Sequence, residues 1–230
     1  MHGLLILQSG ARTFPLPTLR LAELLAGQAV TALVGQMGGA SRSAVGALAA
    51  AIDARDNYTH SHSEEVVELA TAVAASLGLS PADVGRVRDG AMLHDVGKVA
   101  IPNEILFKPG PLDPHEWAIM REHPVIGERI LRRTPELEPI AALVRHEHER
   151  WDGGGYPDGL SGNDIPIGSR IIFACDAYNA MITERPYREP MSSDAAIIEL
   201  EQNAGTQFDP RVVVALLAVL ADRLPAARSA

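Results

Sequence analysis

The chain has 230 residues and a mass of 24.5 kDa, enough for one domain with a short extra segment, and its 47 % apolar content excludes disorder throughout. Lys and Arg total 20 against 29 Asp and Glu, a net charge of −9 with neutral histidines, which argues against a nucleic acid polymer as partner. A single cysteine, Cys175, excludes an intrachain disulfide and a cysteine-built zinc site, and points to a cytoplasmic location. Residues 4–7 read as a short strand, Pro15 and Pro17 break the chain, and residues 19–34 carry apolar groups at helical spacing. Gly35, Gly38 and Gly39 interrupt or end that helix, and residues 44–54 resume a helix of small side chains. Residues 1–50 are too few to bury a core alone and read as the tail of an upstream module with a connecting helix. Residues 1–8 lack a basic n-region, which argues against a signal peptide. From residue 51 to 223 the pattern is that of one domain, followed by a tail over 224–230.

Val66, Leu69, Ala70, Val73 and Leu77 form one helix face, closed by Gly78. Ser80, Pro81 and Asp83 give the next helix an N-cap, an N1 proline and an N3 acid; Asp113, Pro114 and Glu116 repeat the device, and Asp209 with Pro210 starts another. Further helices are expected over residues 138–149, 169–182 and 194–202, with an ordered Gly/Pro-rich loop over 153–168. The longest apolar run, residues 212–221, reads as a buried terminal helix, since a membrane span needs ~18 apolar residues. No run of alternating strands appears, and the fold class is all-α, a helical bundle.

Certain polar residues fall where apolar ones are expected. Val84, Val87 and Ala91 mark an inward stripe on which His94 also lies, with Asp95 beside it. Asp176 sits among Ile171, Ile172, Phe173, Ala174, Cys175 and Ala177, where an acid without a cation costs several kcal/mol. His62, His123 and His148 lie near predicted helix ends, so that side chains from separate helices can converge in a bundle core. On these features alone, a metal site and a set of hydrogen-bonded core residues stand level.

The wording around them is more specific. His94, Asp95, Gly97 and Lys98 give H-D-x-G-K; His123, Pro124 and Gly127 follow. His148, Glu149, Asp152, Gly153, Gly155, Tyr156 and Pro157 spell H-E-x-x-D-G-x-G-Y-P. Arg185, Pro186, Tyr187 and Arg188, then Gly205 to Pro210, complete the series. Over residues 51–220 this resembles the HD-GYP subfamily of HD-domain phosphohydrolases, the bacterial cyclic di-GMP phosphodiesterases.

The resemblance implies a two-metal site in which Asp95 bridges, His62, His94 and Asp176 hold one divalent ion, and His123 and His148 hold the second. Ions ~3.5–4 Å apart activate water and clamp the oxygens of an in-line phosphoryl displacement. Ligation by nitrogen and oxygen alone, and the family's preference, favour iron or manganese. Asp95 and Lys98 take catalytic roles in this reading, and Lys98, Arg185 and Arg188 match phosphate-contacting positions. Against that, Lys98 also suits a helix C-terminus and the two arginines a solvated turn. Gly153, Gly154 and Gly155 read equally as a flexible turn or, with Trp151 and Tyr156 alongside, as an exposed aromatic loop for a protein partner, and the resemblance implies a diguanylate cyclase (GGDEF) domain at the Gly155, Tyr156, Pro157 loop.

Two positions depart from the pattern. The family has two consecutive histidines where this chain has Glu147 and His148, so Glu147 either ligates as a hard oxygen donor or weakens the second site. His146 is turned by ~100° from Glu147 on a helix and does not replace it without a local shift. Where some members place a third-metal glutamate, this chain has Tyr58, so no more than two ions are expected. The leading expectation is hydrolysis of cyclic di-GMP to pGpG or onward to GMP. The alternatives are a silent cyclic di-GMP receptor or interaction module, and an HD phosphohydrolase for another nucleotide. The stretch over residues 4–34 faintly resembles the end of a GAF-type sensor, whose connecting helix would pair with a second copy into a homodimer.

Overall fold

The computed structural model describes residues 60–183 and 189–223, with side chains from residue 64 onward. The expectations for residues 1–50 and 224–230, for Tyr58, Arg185 and Arg188, and for the side chain of His62 lie outside the described residues. Helix α1 (His60–Ser76) buries Val66, Leu69, Ala70 and Val73 and stops at Gly78, whose φ of 75° lies in the left-handed region that glycine enters without strain. Helix α2 (Pro81–Leu93) starts where Ser80 accepts a hydrogen bond from the Asp83 N–H. A 3-10 helix (His94–Ala100) follows directly, then α3 (Asn103–Leu106) and α4 (Pro114–Met120). Asp113 and Glu116 close a reciprocal capping box on α4. Helices α5 (His123–Leu131), α6 (Glu138–Arg145), α7 (Ile167–Ile182), α8 (Ser193–Gln202) and α9 (Pro210–Arg223) complete the bundle. No strand is present among the described residues, in agreement with the all-α expectation.

Two apolar cores form. The first draws on α1, α2, α7, α8 and α9 through residues such as Leu69, Val87, Ile171, Leu200 and Leu216. The second joins the 3-10 helix to α3, α5 and α6 through Val96, Ile101, Ile130, Leu131, Ile140 and Val144. Each fully buried aliphatic side chain stabilises the fold by roughly 1.5–3 kcal/mol relative to exposure. The 3-10 helix and α5 meet backbone to backbone: a Cβ added to Gly97 would lie 1.8 Å from the His123 carbonyl oxygen. Only glycine fits there, and the close approach brings His94 and Asp95 to the start of α5.

Two predicted helices are corrected. The inward stripe of α2 does not continue as α-helix to His94, because the chain tightens into the 3-10 turn after Leu93. The helix expected over 138–149 stops at Arg145, with His146 at φ −105° and ψ 15°. Residues 146–148 form a turn instead. That turn lets three successive side chains fan apart.

Candidate metal centre

His94 and His123 are both buried, and each is oriented by its first ring nitrogen. His94 Nδ1 lies 2.7 Å from the Ala91 carbonyl oxygen and His123 Nδ1 lies 2.8 Å from that of Met120. A carbonyl only accepts, so both Nδ1 atoms carry the proton and Nε2 points inward. His94 Nε2 is 3.4 Å from Asp95 Oδ2, and His123 Nε2 is 3.6 Å from Asp95 Oδ1. The Asp95 carboxylate thus stands between imidazoles from two elements. Lys98 Nζ reaches the same carboxylate at 2.7 Å.

Glu147 is 1 % exposed and faces the other side of this group. Its Oε1 lies 3.4 Å from His123 Nε2 and 3.8 Å from His148 Nε2, and those two nitrogens are 3.2 Å apart. Neither carboxylate oxygen of Glu147 accepts a hydrogen bond. A buried carboxylate facing the lone pair of His123 Nε2 is repulsive unless a metal cation, or the proton that burial keeps on the acid, lies between them. His123, Glu147 and His148 offer ligand atoms all within 4.8 Å of one another, and this donor set fits a divalent ion. Asp176, half-buried on α7, adds its field to His94, Glu147 and His148.

Electrostatics follow from the burial. Desolvation raises the Glu147 carboxyl to about 8, and holds His123 and His148 down to about 4. Burial also opposes charge on His94, yet Asp95, with Glu147 and Asp176, raises that imidazole well above its ordinary value. Asp95 goes the other way: burial raises it, and Lys98, His94 and His123 outweigh burial and hold it well below the carboxylate range. A cation entering here would displace protons from the imidazole of His94 and the carboxyl of Glu147.

The structure separates His146 from the cluster. Its Nε2 pairs with Asp158 Oδ2 at 2.9 Å, so it leaves the position beside His148 to Glu147. Asp158 also receives the Arg145 guanidinium at 2.6 and 2.7 Å, and its N–H donates to the buried Glu149 at 2.7 Å. These bonds draw the loop back over the cluster. Gly155 makes the fold-back feasible, since a Cβ there would lie 2.3 Å from the Arg150 nitrogen. Tyr156 consequently stacks on His148, with centroids 5.0 Å apart and planes 25° from parallel. The exposed aromatic expected at Tyr156 is therefore corrected: its ring is half-buried and stacks on His148, a member of the cluster. Phe173 meets the edge of His148 from α7 at 6.1 Å.

Beside the cluster opens a cavity of about 480 Å³, lined among others by Arg121, His148, Arg150, Asp152, Tyr156 and Phe173. Sequence reasoning missed Arg121, Arg145, Asp158 and Phe173. Only Arg121, two residues ahead of His123, carried a usable signal of position.

A family model described as "HD domain" matches residues 46–212. A cyclic di-GMP phosphodiesterase of Thermotoga maritima is 43 % identical over 165 residues, covering 71 % of this chain and 45 % of that protein. The 3′3′-cGAMP-specific phosphodiesterase 2 of Vibrio cholerae is 38 % identical over 179 residues, covering 77 % of this chain and 34 % of that protein. In fold, the chain is similar to an HDG"Y"P protein from Bdellovibrio bacteriovorus, with a TM-score of 0.61 and 19 % identity, over 89 % of this chain and 70 % of that one. The chain spans less than half the length of these two curated relatives.

Proposed function

The chain belongs to the metal-dependent HD-domain family, in its HD-GYP branch, and on that premise we propose that it is a phosphodiesterase opening cyclic di-GMP to linear pGpG, from which a second cut gives GMP. His62, His94, Asp95 and Asp176 would hold one iron or manganese ion, and His123, Glu147 and His148 a second, with Asp95 shared. When bound, such ions supply Lewis acidity toward the scissile phosphate and lower the pKa of the attacking water. The chain's own residues supply the rest. Lys98 keeps a cation beside Asp95, 2.7 Å from its carboxylate, on a protein whose net charge of −9 would otherwise repel phosphate. Tyr156 and Phe173 fix the ring plane of His148. Arg185 and Arg188 are assigned to the phosphate oxygens by their place in the motif. The Gly155, Tyr156, Pro157 loop is assigned to a diguanylate cyclase domain as partner by its place in the motif alone.

The observation that carries this reading is Glu147: a buried acid with two unpartnered oxygens, aimed at imidazole nitrogens. It supports a ligand in the histidine's place over a lost site. The test is turnover of cyclic di-GMP, with 3′3′-cGAMP assayed beside it, by protein loaded with Mn²⁺ or Fe²⁺. Hydrolysis is expected, and either His94→Ala or Asp95→Ala abolishes it. Turnover that survives chelation and both substitutions overturns the proposal. Tight binding of cyclic di-GMP without turnover establishes the silent receptor instead.

A further inference from the structure

The cavity beside the cluster contains two guanidinium groups, and they are differently occupied. Arg150 is committed to Asp152, with Nε at 3.0 Å and Nη2 at 2.6 Å from its two oxygens, and it also leans on Gln207. Arg121 has no acid paired with it among the described residues. It is held by rings: its Cζ lies 5.2 Å from the centroid of Tyr156 and 5.8 Å from that of Trp117. Cation–π contact orients a guanidinium without using its N–H donors, which stay available to an anion. Tyr156 in turn stacks on His148. Trp117, Arg121, Tyr156 and His148 thus form a ladder leading from the protein surface to the cluster.

A cyclic dinucleotide carries two phosphodiesters on opposite sides of its ring. When one lies at the cluster, the other reaches outward, and on an acidic protein it needs a local cation. We infer that Arg121 is the anchor for the second, non-cleaved phosphodiester, so that this chain selects cyclic dinucleotides over substrates with a single phosphodiester. The inference rests on the reading of the preceding subsection. Tyr156 then has two roles: one face steadies His148, and the same ring aims Arg121. The fork of a guanidinium takes two phosphate oxygens at once, which an ammonium does not.

The experiment compares wild type, Arg121→Ala and Arg121→Lys, all loaded with Mn²⁺, on cyclic di-GMP and on bis(p-nitrophenyl) phosphate, which carries one diester and no second anchor. Arg121 is exposed at the end of α4, so the substitutions leave the core untouched, and equal unfolding temperatures verify this. For Arg121→Ala the KM for cyclic di-GMP is expected to rise roughly ten- to hundredfold, the range of a lost charge-assisted hydrogen-bond pair, with kcat falling much less. The ratio of kcat/KM on the two substrates shifts by the same factor, and Arg121→Lys falls between. An unchanged ratio, whether both activities drop together or neither moves, overturns the role of Arg121 and leaves the phosphodiesterase reading standing. A wild-type protein that cleaves the single diester but neither binds nor cleaves cyclic di-GMP overturns the substrate reading, and this inference with it.

Discussion

Glu147 couples the protonation of the metal-free protein to its folding. In an unfolded chain its carboxyl titrates near its ordinary value of 4.5, and burial raises it to about 8 in the fold. Between those values the folded state binds a proton that the unfolded state has released. The contribution of Glu147 to stability therefore falls as pH rises from about 4.5 to about 8 and then levels off. His123 and His148, held down to about 4, act on the other side: they withdraw stability as pH falls below the ordinary histidine range. Glu147→Gln keeps the shape and removes the titration. Urea unfolding in the presence of chelator should then show the variant gaining on wild type between pH 5 and pH 8, by on the order of 3 kcal/mol. Parallel profiles would mean that the acid is already neutralised by something other than a metal. Bound Mn²⁺ should reverse the ranking, because it stabilises the carboxylate and not the amide.

Elements bring these side chains together through backbone approach at the crossing of the 3-10 helix and α5. A methyl group at Gly97 has no room against the His123 carbonyl, so Gly97→Ala must push α5 away and widen the spacing between Asp95 and His123. Helix content by circular dichroism should persist, while Mn²⁺ affinity falls on the order of ten- to hundredfold, as for other disturbances of a ligand's support. Affinity equal to wild type would show that the crossing does not set the site. Such contacts also mark how far the sequence is legible. Ser80, Asp113 and Gly78 announce helix ends because capping is local, and the caps lie at those residues. The end of α6 at Arg145 carries no glycine or proline signal; it accompanies pairing with Asp158, thirteen residues away. For the same reason the inward turn of Tyr156 and the approach of Glu147 to His148 are not readable from spacing. The gathering of His94, Asp95, His123 and His148 is legible chiefly through resemblance, since helical periodicity alone puts His94 on a helix that ends before it.

Across the whole molecule the cluster occupies the seam between the two apolar cores. Asp176 comes from α7, which belongs to the first core, whereas the 3-10 helix, α5 and α6, which leads into the turn bearing Glu147 and His148, belong to the second. Ions held by both sets would tie the cores together, and their binding energy would appear as folding energy. At a hundred times its Kd a ligand that binds only the native state adds about 2.7 kcal/mol. For a domain of this size that corresponds to a rise in Tm of roughly 5–10 °C. Thermal unfolding with increasing Mn²⁺ should show this rise. Asp95→Ala should remove most of it, and Asp176→Ala should diminish it although it lies on the opposite core. An Mn²⁺-dependent rise that survives Asp176→Ala intact would confine the ion to the second core alone, with His123, Glu147 and His148 as its holders. Loss of the rise in both variants instead makes the seam the place where metal binding and folding are coupled, and makes the acid on α7 a full member of the site.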